Sequence, residues 1–386
     1  MKFDFDKIVD RRNSGSLKWN VKEGELPMWV ADMDFMTAPA VISAIKKVVD
    51  HGVFGYKDVP DEWFSAIQNW WKNRHNLYIE KSWLCFCTGV IPAITSMVKR
   101  ITEVGDNVAI FTPVYDIFFH SVENTGRHVL ECPLVYDGKT YEIDFADLEQ
   151  KLSLPTTSLM IFCNPHNPVG KVWNAAELER VGALCDKYGV TVISDEIHCD
   201  LTFPGYKYTP FAAVTDACRD ISVTCIAASK AFNMAGLQSA AVFAANENLR
   251  NKVVRGLNSD EVAEPNAFAC EAAIAAFSEG GEWLDELNEY LFENYKIARE
   301  YLKNNLSEIS LVEKQATYLI WVDVGDVCPD AKKLCDHLRK TTGLYITAGG
   351  QYRGNGISFV RINLACPRSV MLDGLDRLYN GVKSFK

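Results

Sequence analysis

The chain has 386 residues, enough to bury a large core and to fold as two domains. Its 48% hydrophobic and 23% charged content is that of an ordinary globular protein, and a net charge of −10 argues against a general nucleic-acid binder while leaving a local anion site open. No segment approaches the roughly 20 apolar residues of a membrane span. The start, Met1-Lys2-Phe3-Asp4-Phe5-Asp6-Lys7, lacks the apolar stretch of a signal peptide, so a reduced, cytoplasmic protein is expected. Twelve cysteines are scattered through apolar runs without a Cys-x-x-Cys pair, and the seven histidines do not cluster with them in sequence. Buried thiols are expected, and a metal site is not.

Residues 1–45 are irregular and rich in Gly, Trp and Asp, a segment expected to drape over a core built by the rest. A helical pattern covers 38–49, with Pro39 near its start. Residues 52–60 read as a loop and 62–75 as a helix, with Trp63, Trp70 and Trp71 as core or interface positions. Then α/β alternation begins: an apolar run at 83–88, a helix from Gly89 to 100, a strand at 107–111, a helix to about 125 and a strand at 128–132. Strands at 159–163, 190–194, 221–228 and 239–245 follow, with a helix over 175–187. Several of these strands are apolar throughout, as required when helices cover both faces of a mostly parallel sheet. Residues 267–305 read as helix, long enough to bridge two domains. A strand at 318–324, a helix at 330–341, a strand at 359–364 and a helix from 368 form a small α+β unit, completed by the N-terminal segment. The glycine-rich stretch 349–356 lacks the strand–glycine–helix context of a nucleotide loop and reads as a mobile loop.

Lys230 is the most informative residue. It follows the apolar run 221–228, where desolvation favours a neutral, nucleophilic amine. The run 190–194 ends in Asp195 and Glu196, and the run 158–163 ends in Asn164-Pro165-His166-Asn167-Pro168-Val169-Gly170. Open α/β sheets bind ligands at the C-terminal ends of their strands. An amide, an acid and a lysine at successive strand ends suit pyridoxal 5′-phosphate: Asn167 for its phenolic oxygen, Asp195 for its ring nitrogen and Lys230 for its aldehyde. Each has a blander reading, as a turn amide, a helix N-cap acid or a surface lysine; the shared location favours the site. Glu196 competes with Asp195, but the adjacent position should point elsewhere. Thr88-Gly89-Val90 opens a helix whose free N–H groups suit the phosphate, with Ser229 placed to add a hydroxyl. Tyr115 is positioned to stack on the ring. Arg361, inside an apolar strand, needs an anionic partner: a substrate carboxylate or a structural acid.

These motifs resemble the fold-type I pyridoxal-phosphate enzymes, the aspartate aminotransferase superfamily, and within it the MalY/PatB group of cystathionine β-lyases. The stretches that carry the resemblance are Trp29-Val30-Ala31-Asp32-Met33-Asp34-Phe35, Phe54-Gly55-Tyr56, Thr88-Gly89-Val90-Ile91-Pro92, the Asn164–Gly170 loop, Ser194-Asp195-Glu196-Ile197-His198, and Ser229-Lys230-Ala231-Phe232-Asn233-Met234-Ala235-Gly236-Leu237-Gln238. The resemblance implies an α/β fold with a mostly parallel seven-stranded sheet in a large domain, 46–282, and a small α+β domain formed by 1–45 and 283–386. It implies a homodimer with shared active sites, in which Tyr56 reaches the phosphate of the partner subunit's cofactor. It supports the roles given to Lys230, Asp195, Asn167, Tyr115 and Arg361, adds His198 and the Gly89-Val90 turn to the cofactor contacts, and sets Ala31 and Asn167 beside the substrate. Aminotransferases usually carry Tyr where His198 stands and often Arg where Gln238 stands; both departures favour the lyase subgroup.

The activity expected is pyridoxal-phosphate-dependent β-cleavage of the carbon–sulfur bond of L-cystathionine or a related cysteine S-conjugate, giving thiol, pyruvate and ammonia. An aminotransferase is the alternative, since it shares every cofactor contact. A regulatory binder on the same scaffold is the second, and the resemblance leaves room for a regulatory protein partner.

Overall fold

The computed structural model describes residues 2–385. Seven strands form the main sheet: β1 (Leu84–Cys87), β2 (Asn107–Thr112), β3 (His128–Pro133), β4 (Thr157–Cys163), β5 (Thr191–Asp195), β6 (Ser222–Ile226) and β7 (Ala240–Phe243). Their order across the sheet is β1-β7-β6-β5-β4-β2-β3. Only β7 runs antiparallel to its neighbours. Alternate residues of the apolar strands serve opposite faces. On β4, Leu159, Ile161 and Cys163 join a core with helices Val90–Ile101 and Glu247–Ser259, whereas Met160 and Phe162 pack with helices Phe145–Leu152 and Ala175–Tyr188. This two-sided burial explains the continuous hydrophobic runs. The helix Ala175–Tyr188 starts on a capping box, in which the Asn174 side chain takes the Glu177 N–H and Glu177 returns the bond.

A second sheet has four strands, β8 (Ser310–Leu311), β9 (Leu319–Asp323), β10 (Thr347–Ala348) and β11 (Phe359–Asn363), in the order β8-β9-β11-β10. Helices Gly281–Asn305, Ala331–Thr341 and Arg368–Ser384 share a core with it. The N-terminal segment joins this layer: Leu26 and Pro27 pair in parallel with Leu344 and Tyr345.

Two expectations need correction. The helical stretch 267–305 is broken into Ala269–Glu279 and Gly281–Asn305. At Gly280 a Cβ would lie 2.4 Å from Phe232 Cε1 and 2.5 Å from the Ala276 carbonyl oxygen, so only glycine lets the chain turn where Phe232 packs. Gly280→Ala should therefore lower stability by about 1–3 kcal/mol, read as an earlier urea midpoint. The stretch 349–356 is not a loose loop: two 3₁₀ turns fold Gly349 against Gly356, and a Cβ on Gly349 would meet Trp321 Cη2 at 2.3 Å. Close packing on Trp321 fixes it.

Candidate active site

The C-terminal ends of β1, β2, β4, β5 and β6 open onto one cavity of about 210 Å³. Its walls include Ala31, Thr88, Gly89, Val90, Tyr115, Asn167, Asp195, His198, Ser229, Lys230 and Gln238. Residues as far apart in sequence as Thr88 and Lys230 thus meet because parallel strands deliver their ends to one edge of the sheet.

The loops that carry these residues are laced together. The Asn164 N–H donates to the Asp195 carbonyl at 2.9 Å, and the Glu196 N–H to the Cys225 carbonyl at 2.9 Å. Tyr115 N–H donates to the Asn167 carbonyl at 3.1 Å. Asp195 is buried at the end of β5 and accepts one backbone bond, from Ile197 N–H at 3.1 Å. Burial pushes its carboxyl up to about 7, against the opposing pull of Ile197 N–H and the Lys230 charge. A carboxylate this poorly supported is stabilised by a cation placed beside it. Glu196 does point elsewhere, bonded to Ser194, Tyr208 and the Phe211 N–H.

Lys230 sits in the short helix Ala228–Ala231 that follows β6. Its Nζ donates to the Ala31 carbonyl at 2.8 Å. Burial, then the Arg361 charge, lower its pKa to about 8, while Asp32 and Asp195 act in the opposite direction. His198 is buried with Nδ1 unpartnered, and burial together with Lys230, Lys314 and Arg361 holds the ring well below its usual range and so neutral. Burial likewise raises the Tyr115 hydroxyl to about 12.

Arg361 stands behind Asn167 on β11. Nη1 donates to Asn167 Oδ1 at 3.2 Å and Nη2 to the Trp29 carbonyl at 3.1 Å, while Nε has no partner. Among the described residues no carboxylate pairs with this buried guanidinium, so the structural-acid reading of Arg361 finds no partner. Tyr56 lies outside the cavity, fully exposed on the loop between the first two helices.

Sequence reasoning missed the side chains that hold the 29–35 strap over the cavity. Asn363 donates to the Val30 and Asp32 carbonyls at 2.6 Å each, Tyr318 to Ala31 at 2.9 Å, and Asn233 to Met33 and Phe35 at 3.0 and 2.8 Å. Asn363 was within reach: it lies two residues after Arg361 on one strand, hence on the same face. The structure also brings a histidine to a cysteine, against expectation. His75, Cys199 and Asp200 place donor atoms within 4.8 Å of one another. Both Asp200 oxygens already accept from Trp70, and His75 bonds one of them at 2.8 Å.

The chemistry of this donor set fits a group with an anionic phosphate, a ring nitrogen able to carry a proton and an aldehyde: helix N–H donors and Ser229 would suit the phosphate, the buried Asp195 carboxyl a protonated ring nitrogen, and the Lys230 amine the aldehyde. The comparisons with known proteins agree. Residues 26–378 match the family model "Aminotransferase class I and II". The chain is 41% identical over 382 residues to cystathionine beta-lyase PatB of Bacillus subtilis, covering 97% of this chain and 98% of that one. It is 33% identical to protein MalY of Escherichia coli across the full length of both. Cystalysin of Treponema denticola, whose crystal structure contains pyridoxal 5′-phosphate, superposes with a TM-score of 0.96 at 33% identity over the whole of both chains. The chain belongs to the class I and II aminotransferase family, in the group of PatB and MalY.

Proposed function

We propose that this protein is a pyridoxal-phosphate-dependent carbon–sulfur β-lyase, acting on L-cystathionine or a related cysteine S-conjugate and releasing thiol, pyruvate and ammonia. The full-length match to the Bacillus lyase carries this reading. Pyridoxal phosphate, when bound, supplies an aldehyde that exchanges amines and a ring that stores electrons. Arg361 binds the substrate carboxylate through its fork, steadied by Asn167, and so orients Cα toward Lys230. The Lys230 amine removes the Cα proton and returns it to the departing sulfur. Asp195 would keep a proton on the ring nitrogen. Asn167 and neutral His198 would hold the phenolic oxygen, and Tyr115 would pack on the ring. The Gly89-Val90 turn and Ser229 would take the phosphate, with Gln238 where an arginine often stands.

The exposed apolar residues Val53 and Phe54, on the same loop as exposed Tyr56, support a homodimer in which Tyr56 of each subunit completes the phosphate site of the other. Tyr56→Phe should leave the dimer intact in sedimentation and weaken cofactor binding by about three- to tenfold, the worth of one hydrogen bond. The two sheets support a division into 46–282 and a unit made from 1–45 and 283–386. No helix among the described residues is long and apolar enough to cross a membrane, and free, mostly buried cysteines favour a reducing cytoplasm.

Incubation with cystathionine, with and without a 2-oxo acid, tests the activity. Pyruvate and free thiol without any oxo acid are expected. Turnover that depends strictly on an oxo acid overturns the lyase in favour of an aminotransferase.

A further inference from the structure

The Ala31 carbonyl oxygen is a shared acceptor. It takes the Lys230 amine at 2.8 Å and the Tyr318 hydroxyl at 2.9 Å. Tyr318 is fully buried, just before β9, and burial holds its hydroxyl protonated far above any working pH. It is therefore a permanent donor. The peptide on either side of Ala31 does not depend on it, because Asn363 grips the carbonyls of both Val30 and Asp32. Removing the Tyr318 hydroxyl leaves Ala31 oriented by its neighbours and leaves Lys230 as the one side chain bonded to that oxygen.

Resting on the assignment of Lys230 as the cofactor lysine and base, we propose that Tyr318 is a positioning residue that tunes this base, by sharing the carbonyl oxygen to which, among the described residues, the Lys230 amine is hydrogen-bonded. An ammonium gains more than a neutral amine from an electron-rich carbonyl. A second donor on the same oxygen withdraws electron density and weakens that gain. Tyr318 thus shifts Lys230 toward its neutral, proton-accepting form. The other groups facing the amine are Asp32 on the strap, Asp195 at the end of β5, His198 beyond it, and Arg361 on β11. Arg361 works in the same direction as Tyr318, and the two aspartates oppose it. The carbonyl bond of Tyr318 is the neutral contribution that a single-atom change can isolate.

Tyr318→Phe keeps the ring in its core position and strands no buried donor. The test uses the full chain stripped of cofactor, with the Lys230 amine titrated by competitive acetylation across pH and read by peptide mass spectrometry. The labelling midpoint of Lys230 is expected to rise by about 0.5 unit in Tyr318→Phe, the share of a charge-assisted bond that one competing donor removes. After cofactor is restored, the acid limb of the kcat profile should move the same way, with KM unchanged. Tyr295→Phe, which removes a remote buried hydroxyl that accepts from the Lys314 N–H, should leave the Lys230 midpoint where it is. A midpoint in Tyr318→Phe that is unmoved or lowered overturns the proposal. Failure of Lys230 to carry the cofactor would be seen separately, as borohydride fixation at another residue, and would remove the reading on which the proposal stands.

Discussion

Lys230→Ala is expected to lose turnover of cystathionine by on the order of 10³-fold or more, because one side chain serves as cofactor tether, base and acid. Among the described residues the cavity walls offer no substitute amine: of the buried lysines nearby, Lys314 is committed to Thr317 Oγ1 and the Leu319 carbonyl, and Lys18 to Asp34. Borohydride should fix the cofactor to Lys230 in the wild-type protein and fix none in the variant. A small primary amine added to Lys230→Ala should restore a fraction of the rate, since it supplies the missing base without the tether. Retention of more than about a tenth of the activity in Lys230→Ala is the result that removes the lysine from the chemistry, because a general base alone contributes at least about 10²-fold.

Asp195→Asn is the second large effect, and it runs in opposite directions for catalysis and for stability. With cofactor bound, the variant no longer holds a proton on the ring nitrogen, and kcat should fall by about 10²- to 10³-fold. Without cofactor, the carboxyl is a liability. Its folded pKa of about 7 lies above the unfolded value near 4. The folded chain therefore binds the extra proton between about pH 4 and pH 7, and stability falls as pH rises through that window. Asparagine has no proton to lose, so the cofactor-free variant should show a flatter dependence there. At pH 8 it should melt a few degrees above the cofactor-free wild type. A cofactor-free variant that melts lower than wild type at pH 8 would contradict the burial argument for Asp195.

What was legible in the sequence was what local pattern encodes. All seven strands of the main sheet stand out as apolar runs, and their ends fell within about two residues because β-branched cores stop abruptly at polar turns. The helix Glu247–Ser259 was overlooked, since its buried stripe is only Leu249, Val253, Gly256 and Leu257 in an otherwise polar stretch. The two-residue pairing of Leu26 and Pro27 with Leu344 and Tyr345 has no periodicity to detect. The break falls on the Gly280-Gly281 pair, a local breaker signal that the reading of one continuous helix passed over, whereas the close packing on Phe232, 48 positions earlier, lies beyond any local rule. In the site, residues at strand ends could be placed by the geometry of parallel sheets. Tyr318 and Asn233 could not, because their partners are main-chain carbonyls, and a carbonyl is the same in every residue.

The strap has a consequence for how the protein is made. Residues 29–35 leave the ribosome early, but the side chains that fasten them, Asn233, Tyr318, Arg361 and Asn363, are spread over the later two-thirds of the chain, the last of them near its end. A growing polypeptide shorter than about 363 residues can hold the strap through Asn233 and Tyr318 but lacks the Asn363 grip on the Val30 and Asp32 carbonyls, so the strap is completed only as the chain itself nears completion.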